Sequence, residues 1–114
     1  MALAAARDCY PNLRAAGIMG RAKGGPLIRF DDVTAALAFL RRCRRTKHAF
    51  IHTVDLEWHV SRWARRPVSV GAIIAAAVGL RFEVRGWRGC TAFYPHAMIN
   101  ANKTDISKLA EARR

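Results

Sequence analysis

The run PVSVGAIIAAAVGL at 67–80 constrains the fold more than any other part of the chain. Ser69 suits a helix N-cap, 71–78 reads as helix and Gly79 as its C-cap. A hydroxyl can accept from the first unpaired N–H groups, and glycine ends a helix without steric cost. Between 70 and 78 there are only Val, Gly, Ala and Ile. A helix that is apolar all round has no solvent face, so the rest of the chain must enclose it. It is too short to cross a bilayer, which takes roughly 20 apolar residues.

A second helix is expected from Asp31 or Asp32 as cap. Val33, Leu37, Leu40 and Arg44 recur at helical spacing, and Ala36, Phe39 and Cys43 widen the apolar face. Its last turn would set Arg41, Arg42, Arg44 and Arg45 against the negative end of the helix dipole, with the exit at 46–48. Residues 2–9 are Ala-rich and helical in pattern, and a short helix is expected from Pro11 to Ala16. Four glycines between 17 and 25 make 20–25 a basic loop, and 26–30 reads as a short edge strand.

Residues 49–63 admit two readings. Strands at 49–54 and 58–63 around a turn at 55–57 suit the β-branched and aromatic content, and this hairpin is the favoured reading. As a helix, Leu56, Val60 and Trp63 fall at i, i+4 and i+7. Further on, 81–85 and 91–94 alternate polar and apolar around a glycine-bounded tip, which predicts a second hairpin. A weak amphipathic helix follows at 104–112 around Ile106 and Leu109.

The expected fold class is α+β: one small domain with a central helix, two β-hairpins and a second, buried helix. N-terminal helical turns and the Gly-rich loop occupy 1–25, the core 26–96 and a polar tail 97–114. If 54–66 is helical instead, the order helix, turn, helix, hairpin is that of a winged helix, and that variant stays open.

Charge narrows the function. Among 114 residues, 20 are Lys or Arg and 8 are Asp or Glu, a formal net charge of +12. With 52% hydrophobic residues the chain is no disordered polycation. Such an excess favours nucleic acid or an acidic protein face. Arg dominates over Lys, and its planar fork suits phosphate and flat rings. Cys9, Cys43 and Cys90 are odd in number and scattered, so a reducing compartment is expected. The N-terminus lacks the pattern of a secretory signal, so a cytoplasmic location is expected; the 33–45 helix carries its cations only at one end, unlike a helix that lies on a bilayer, so no membrane partner is expected.

Three clusters carry the candidate nucleic-acid contacts: Arg41, Arg42, Arg44, Arg45 and Lys47; Arg62, Arg65 and Arg66; and the hairpin tip Arg85, Trp87 and Arg88. A tip Trp rimmed by Arg could stack on a base or wedge a groove, or fold back onto Phe93 or Tyr94. The apolar helix at 70–78 offers nothing to read base edges, so contacts would go mainly to the backbone. Cys43, His48, His52 and His59, with Cys90 and His96, lack the tight pairing of a zinc site, and no metal or other cofactor is expected. His52 or His59 with Cys90 and Asp55 matches no nucleophile motif, so the expectation is a non-enzymatic nucleic-acid-binding accessory or regulatory protein. The alternative is a small inhibitor or adaptor that docks its basic face onto an acidic protein.

Overall fold

The computed structural model describes residues 2–9, 13–15, 17–18, 27–86 and 97–112. In chain order its elements are α1 (Ala2–Cys9), β1 (Leu13–Arg14), β2 (Gly17–Ile18), α2 (Phe30–Leu40) and β3 (Ile51–His52). There follow α3 (Thr53–Ala64), α4 (Val70–Gly79), β4 (Val84–Gly86), β5 (Ala97–Ile99) and α5 (Lys103–Ala112). The fold class is α+β, as expected: helices around one three-stranded antiparallel sheet of order β3-β5-β4.

Helix α4 is the centre. Every residue from Val70 to Ala77 is buried, and α1, α2 and α3 all pack on it. Ser69 caps it as expected, accepting a hydrogen bond from the Ala72 N–H at 3.2 Å. The helix runs through Gly79, so the expected C-cap falls one residue late, at Leu80. Arg81 then takes a left-handed φ of 63°, and the N–H groups of Arg81 and Phe82 close onto the carbonyls of Val78 and Ala77. This double closure satisfies the last carbonyls of the helix. Gly79 lies against α1: a Cβ there would meet Ala2 Cβ at 2.5 Å.

Helix α2 starts earlier and ends earlier than expected. Its N-cap is Arg29, with Asp31 and Asp32 in the first turn, and it stops at Leu40. The basic run therefore lies beyond the helix rather than in its last turn. It turns at 41–43 and then runs beside the chain just past β5: Arg45 bridges Ala101, and the Thr46 N–H donates to the Asn100 carbonyl at 2.8 Å. The buried Asn100 side chain fixes this junction, accepting from the Glu83 N–H at 2.7 Å and donating to the Thr46 carbonyl at 2.8 Å.

The favoured hairpin at 49–63 is overturned. Only Ile51 and His52 form strand, and Thr53–Ala64 is helix. Leu56 and Val60 are fully buried, and Trp63 meets Phe39 edge-on at 5.6 Å between ring centroids. Burial of one helical stripe outweighs the β-branched content of the segment. The Ser61 hydroxyl then pins the turn into α4, accepting from the Val68 N–H at 3.0 Å.

Three smaller expectations also change. Residues 27–29 carry no strand, since Phe30 already opens α2. Where a short helix was expected after Pro11, Leu13–Arg14 pairs with Gly17–Ile18 in a two-residue ladder. The partner of β4 is Ala97–Ile99, with Val84 opposite Ile99 and Gly86 opposite Ala97. The expected strand at 91–94 lies outside the described residues, as does the basic loop at 20–25. Residues 97–101, read as the start of a polar tail, instead supply the central strand and buried side chains of Ala97, Ile99 and Ala101. The C-terminal helix forms as expected, with Ile106 buried.

Candidate nucleic-acid interface

Two of the three candidate clusters lie within the described residues. Of the third, Arg85 is described while Trp87 and Arg88 lie outside. Cys90 and His96 also lie outside.

The candidate cations divide by what holds them. Arg44 is claimed by Asp105 three times over: its backbone N–H and Nε reach Oδ2 at 2.9 and 3.0 Å, and Nη2 reaches Oδ1 at 3.2 Å. These bonds, with the guanidinium charge, hold the Asp105 carboxyl below the usual carboxylate range. Arg66 donates to Asp32 at 2.6 Å across the start of α2 and the end of α3. Arg85 pairs with Glu83 at 3.0 Å and lies over the Phe50 ring, 4.2 Å from its centroid. Each of these three positive charges has a carboxylate partner in the chain, half-buried or buried for Arg44 and Arg66 and exposed for Arg85.

The other six keep no carboxylate within ion-pair distance among the described residues. Arg41, Arg42, Arg45 and Lys47 are exposed on the chain that leaves α2. Arg45 donates to the Arg81 carbonyl at 3.3 Å, which brings a further exposed Arg to that corner. Arg42 lies over the Trp63 ring at 5.3 Å and donates to the Ala38 carbonyl. Arg62 and Arg65 are exposed at the end of α3. Arg62 stacks over Trp58 at 4.5 Å, and Arg65 adopts a left-handed φ of 58°. Trp63 links the two clusters at one point, meeting Phe39 and Arg42 at the end of α2. Carbonyl and ring contacts orient the guanidinium groups of Arg42, Arg45 and Arg62 and leave their charge available to an anion.

Sequence reasoning did not find the groove on the outer face of α3. Val54, Trp58, Ser61, Arg62 and Pro67 line about 560 Å³ of space there. Trp58 and Val54 are about half exposed, 55% and 46%. The signal was present in the 54, 58, 61, 62 spacing, but only on the helical reading of that segment.

Cys43 is buried; desolvation, with a contribution from Asp105, pushes its thiol up to about 12. Among the described residues no three of His, Cys, Asp and Glu stand close enough to hold a metal ion. No described helix is long and apolar enough to cross a membrane. His59 has its Nδ1 buried with no hydrogen-bond partner, and burial lowers its pKa against the opposing pull of Asp55. No protein-family model, curated protein or solved structure matches this chain.

Proposed function

We propose that this protein is a non-enzymatic nucleic-acid-binding module that grips the phosphate backbone and does not read bases. The observation that carries this reading is the set of six exposed cations, Arg41, Arg42, Arg45, Lys47, Arg62 and Arg65, without carboxylate partners among the described residues. The element order supports it. Strand β3, helices α3 and α4 and the β4–β5 pair follow the winged-helix order, with β5 between the other two strands. In that arrangement α4 would be the reading helix, yet it is buried from Val70 to Ala77 and lacks polar side chains. Backbone contacts from the surrounding Arg residues remain, and these carry affinity without sequence information. The segment 87–96, with Trp87 and Arg88, joins β4 to β5 and would extend the same grip.

A second reading has its own support. The groove at Val54, Trp58 and Pro67, rimmed by Arg62 and Arg66 against a single Glu57, suits an acidic protein with an apolar anchor. Binding to duplex and single-stranded oligonucleotides of several sequences at low salt separates the two. Similar affinity for all sequences is expected of the backbone grip; absence of binding refutes it and leaves protein docking.

A further inference from the structure

Trp58 stands where three hollows meet. One, of about 560 Å³, runs over Val54, Ser61 and Pro67 on the outer face of α3. Another, of about 390 Å³, lies between α3 and α5 against Phe50 and Ile106, and a third, of about 140 Å³, reaches Ala110 on α5. Trp58 lines all three and is still 55% exposed. Its ring is held by Arg62 at 4.5 Å and, edge-on, by His59 at 5.1 Å. Those contacts fix the indole without covering it, so little side-chain freedom is left to lose on contact with a partner.

Charge sets this surface apart from the rest of a chain of net charge +12. Asp32, Glu83 and Asp105 are matched to Arg residues, and Asp31 stands in the first turn of α2. Asp55, Glu57 and Glu111 all line the hollows around Trp58. The cations that line them are Lys103, Arg62 and Arg66, of which Arg66 is already bound to Asp32. The patch is therefore close to charge balance and carries an exposed apolar ridge, whereas the basic run at 41–47 has neither property.

We propose that two copies of this chain meet here in a two-fold pair. Such a contact presents the same patch from both sides, so the patch must complement itself. In shape, a ridge stands beside a hollow, and a two-fold axis between them sets each Trp58 into the other copy's groove. In charge, the carboxylates of each copy face the Arg62 and Lys103 of the other. Two molecules this basic repel each other over most of their surface, and a balanced patch is where that repulsion is least. A polyanion or an acidic protein would meet three unmatched carboxylates at this patch and none at the basic run. A second copy seated on Trp58 closes the groove at Val54 and Pro67 to any other protein. The pairing does not rest on the nucleic-acid reading, since of the six free cations Arg62 alone lines these hollows.

Sedimentation equilibrium of the full chain, free of nucleic acid, tests this. A reversible monomer–dimer equilibrium is expected between about 1 µM and 1 mM protein, with no larger species because a two-fold contact closes on itself. Raising salt from about 0.05 to 0.5 M should tighten the dimer, since screening relieves the repulsion between the two basic copies. Trp58→Ser should weaken it by about tenfold or more, and Val54→Lys, a second exposed change on the same ridge, should do likewise. Phe30→Ser, at a ring 69% exposed but outside the hollows, should leave it unchanged. Circular dichroism of each variant controls for folding, and the amide resonances that shift on dilution should belong to α3 and α5. A chain that stays monomeric at about 1 mM in 0.5 M salt overturns the inference. So does a dimer that both ridge variants leave intact, an open-ended series of oligomers, or a monomer that seats a tryptophan-containing acidic peptide in the groove.

Discussion

Replacing Arg66 by Gln tests whether this residue serves the fold rather than the surface. Its guanidinium meets Asp32 at 2.6 Å, and the Asp32 side chain is only 8% exposed against 37% for Arg66. Stripping the partner from a fully buried carboxylate costs about 3–5 kcal/mol. Water reaches the open edge of Arg66, which reduces that figure. Asp32 also lies in the first turn of α2, where the helix dipole supports a negative charge by about 0.3–1 kcal/mol. A net loss of about 2 kcal/mol follows. With an unfolding entropy of about 2.1 cal/mol/K per residue over 114 residues, Tm should drop by roughly 8 °C. Urea denaturation of the wild type, both single variants and Arg66→Gln/Asp32→Asn completes a double-mutant cycle, with an expected coupling of about 1–2 kcal/mol. A single variant within about 0.5 kcal/mol of wild type, or strict additivity, refutes the reasoning.

Three further outcomes are expected. Arg65→Gly should raise stability by up to about 1 kcal/mol, since glycine relieves the left-handed backbone there, while it weakens oligonucleotide binding; chemical denaturation and a binding titration on one sample check both signs. In a Cys9→Ser/Cys90→Ser background, native Cys43 should stay unreactive toward a thiol reagent that labels it at once after unfolding. Labelling at the rate of an exposed thiol would contradict its burial and raised pKa. His59 has a folded pKa below its ordinary value of about 6.5, so the unfolded chain binds the extra proton first and stability falls as pH drops below that value. His59→Gln should flatten this part of the stability–pH profile. The Asp105 contribution, present above the ordinary carboxylate pKa and lost as pH falls through its depressed folded value, should persist.

Much of the helical framework was legible because its signals are local. The apolar run at 70–78 demanded burial, and the Ser69 cap and the stripe around Val33, Ala36, Phe39 and Leu40 each suffice alone. The failures share one cause, which is dependence on a distant partner. Thr53, Val54 and Val60 favour strand by type, yet Leu56 and Val60 reach the core only on a helix. Ala97–Ile99 is three residues long, too brief for alternation to show, and becomes a strand by lying between β3 and β4. Asn100 looks like any polar residue until Glu83 and Thr46 are brought to it. At the candidate interface, the sequence located the cations and could not sort them. Asp32, Glu83 and Asp105 lie 34, 2 and 61 residues from the Arg residues they hold. Folding separates Arg44 and Arg66 from the six that keep their charge for a partner, whereas Glu83 and Arg85 stand two apart on one face of an alternating segment and were a local signal.

That sorting is the central claim, and the salt dependence of oligonucleotide binding tests it most directly. Six phosphate contacts correspond to a slope of log K against log salt of about −5 on duplex, or roughly a 10³-fold loss of affinity from 50 to 200 mM salt. Arg41→Gln should reduce the steepness by about one unit. Arg44→Gln, whose charge Asp105 already holds, should leave it nearly unchanged. Equal loss of slope in the two variants, or a wild-type slope near zero, would contradict the account.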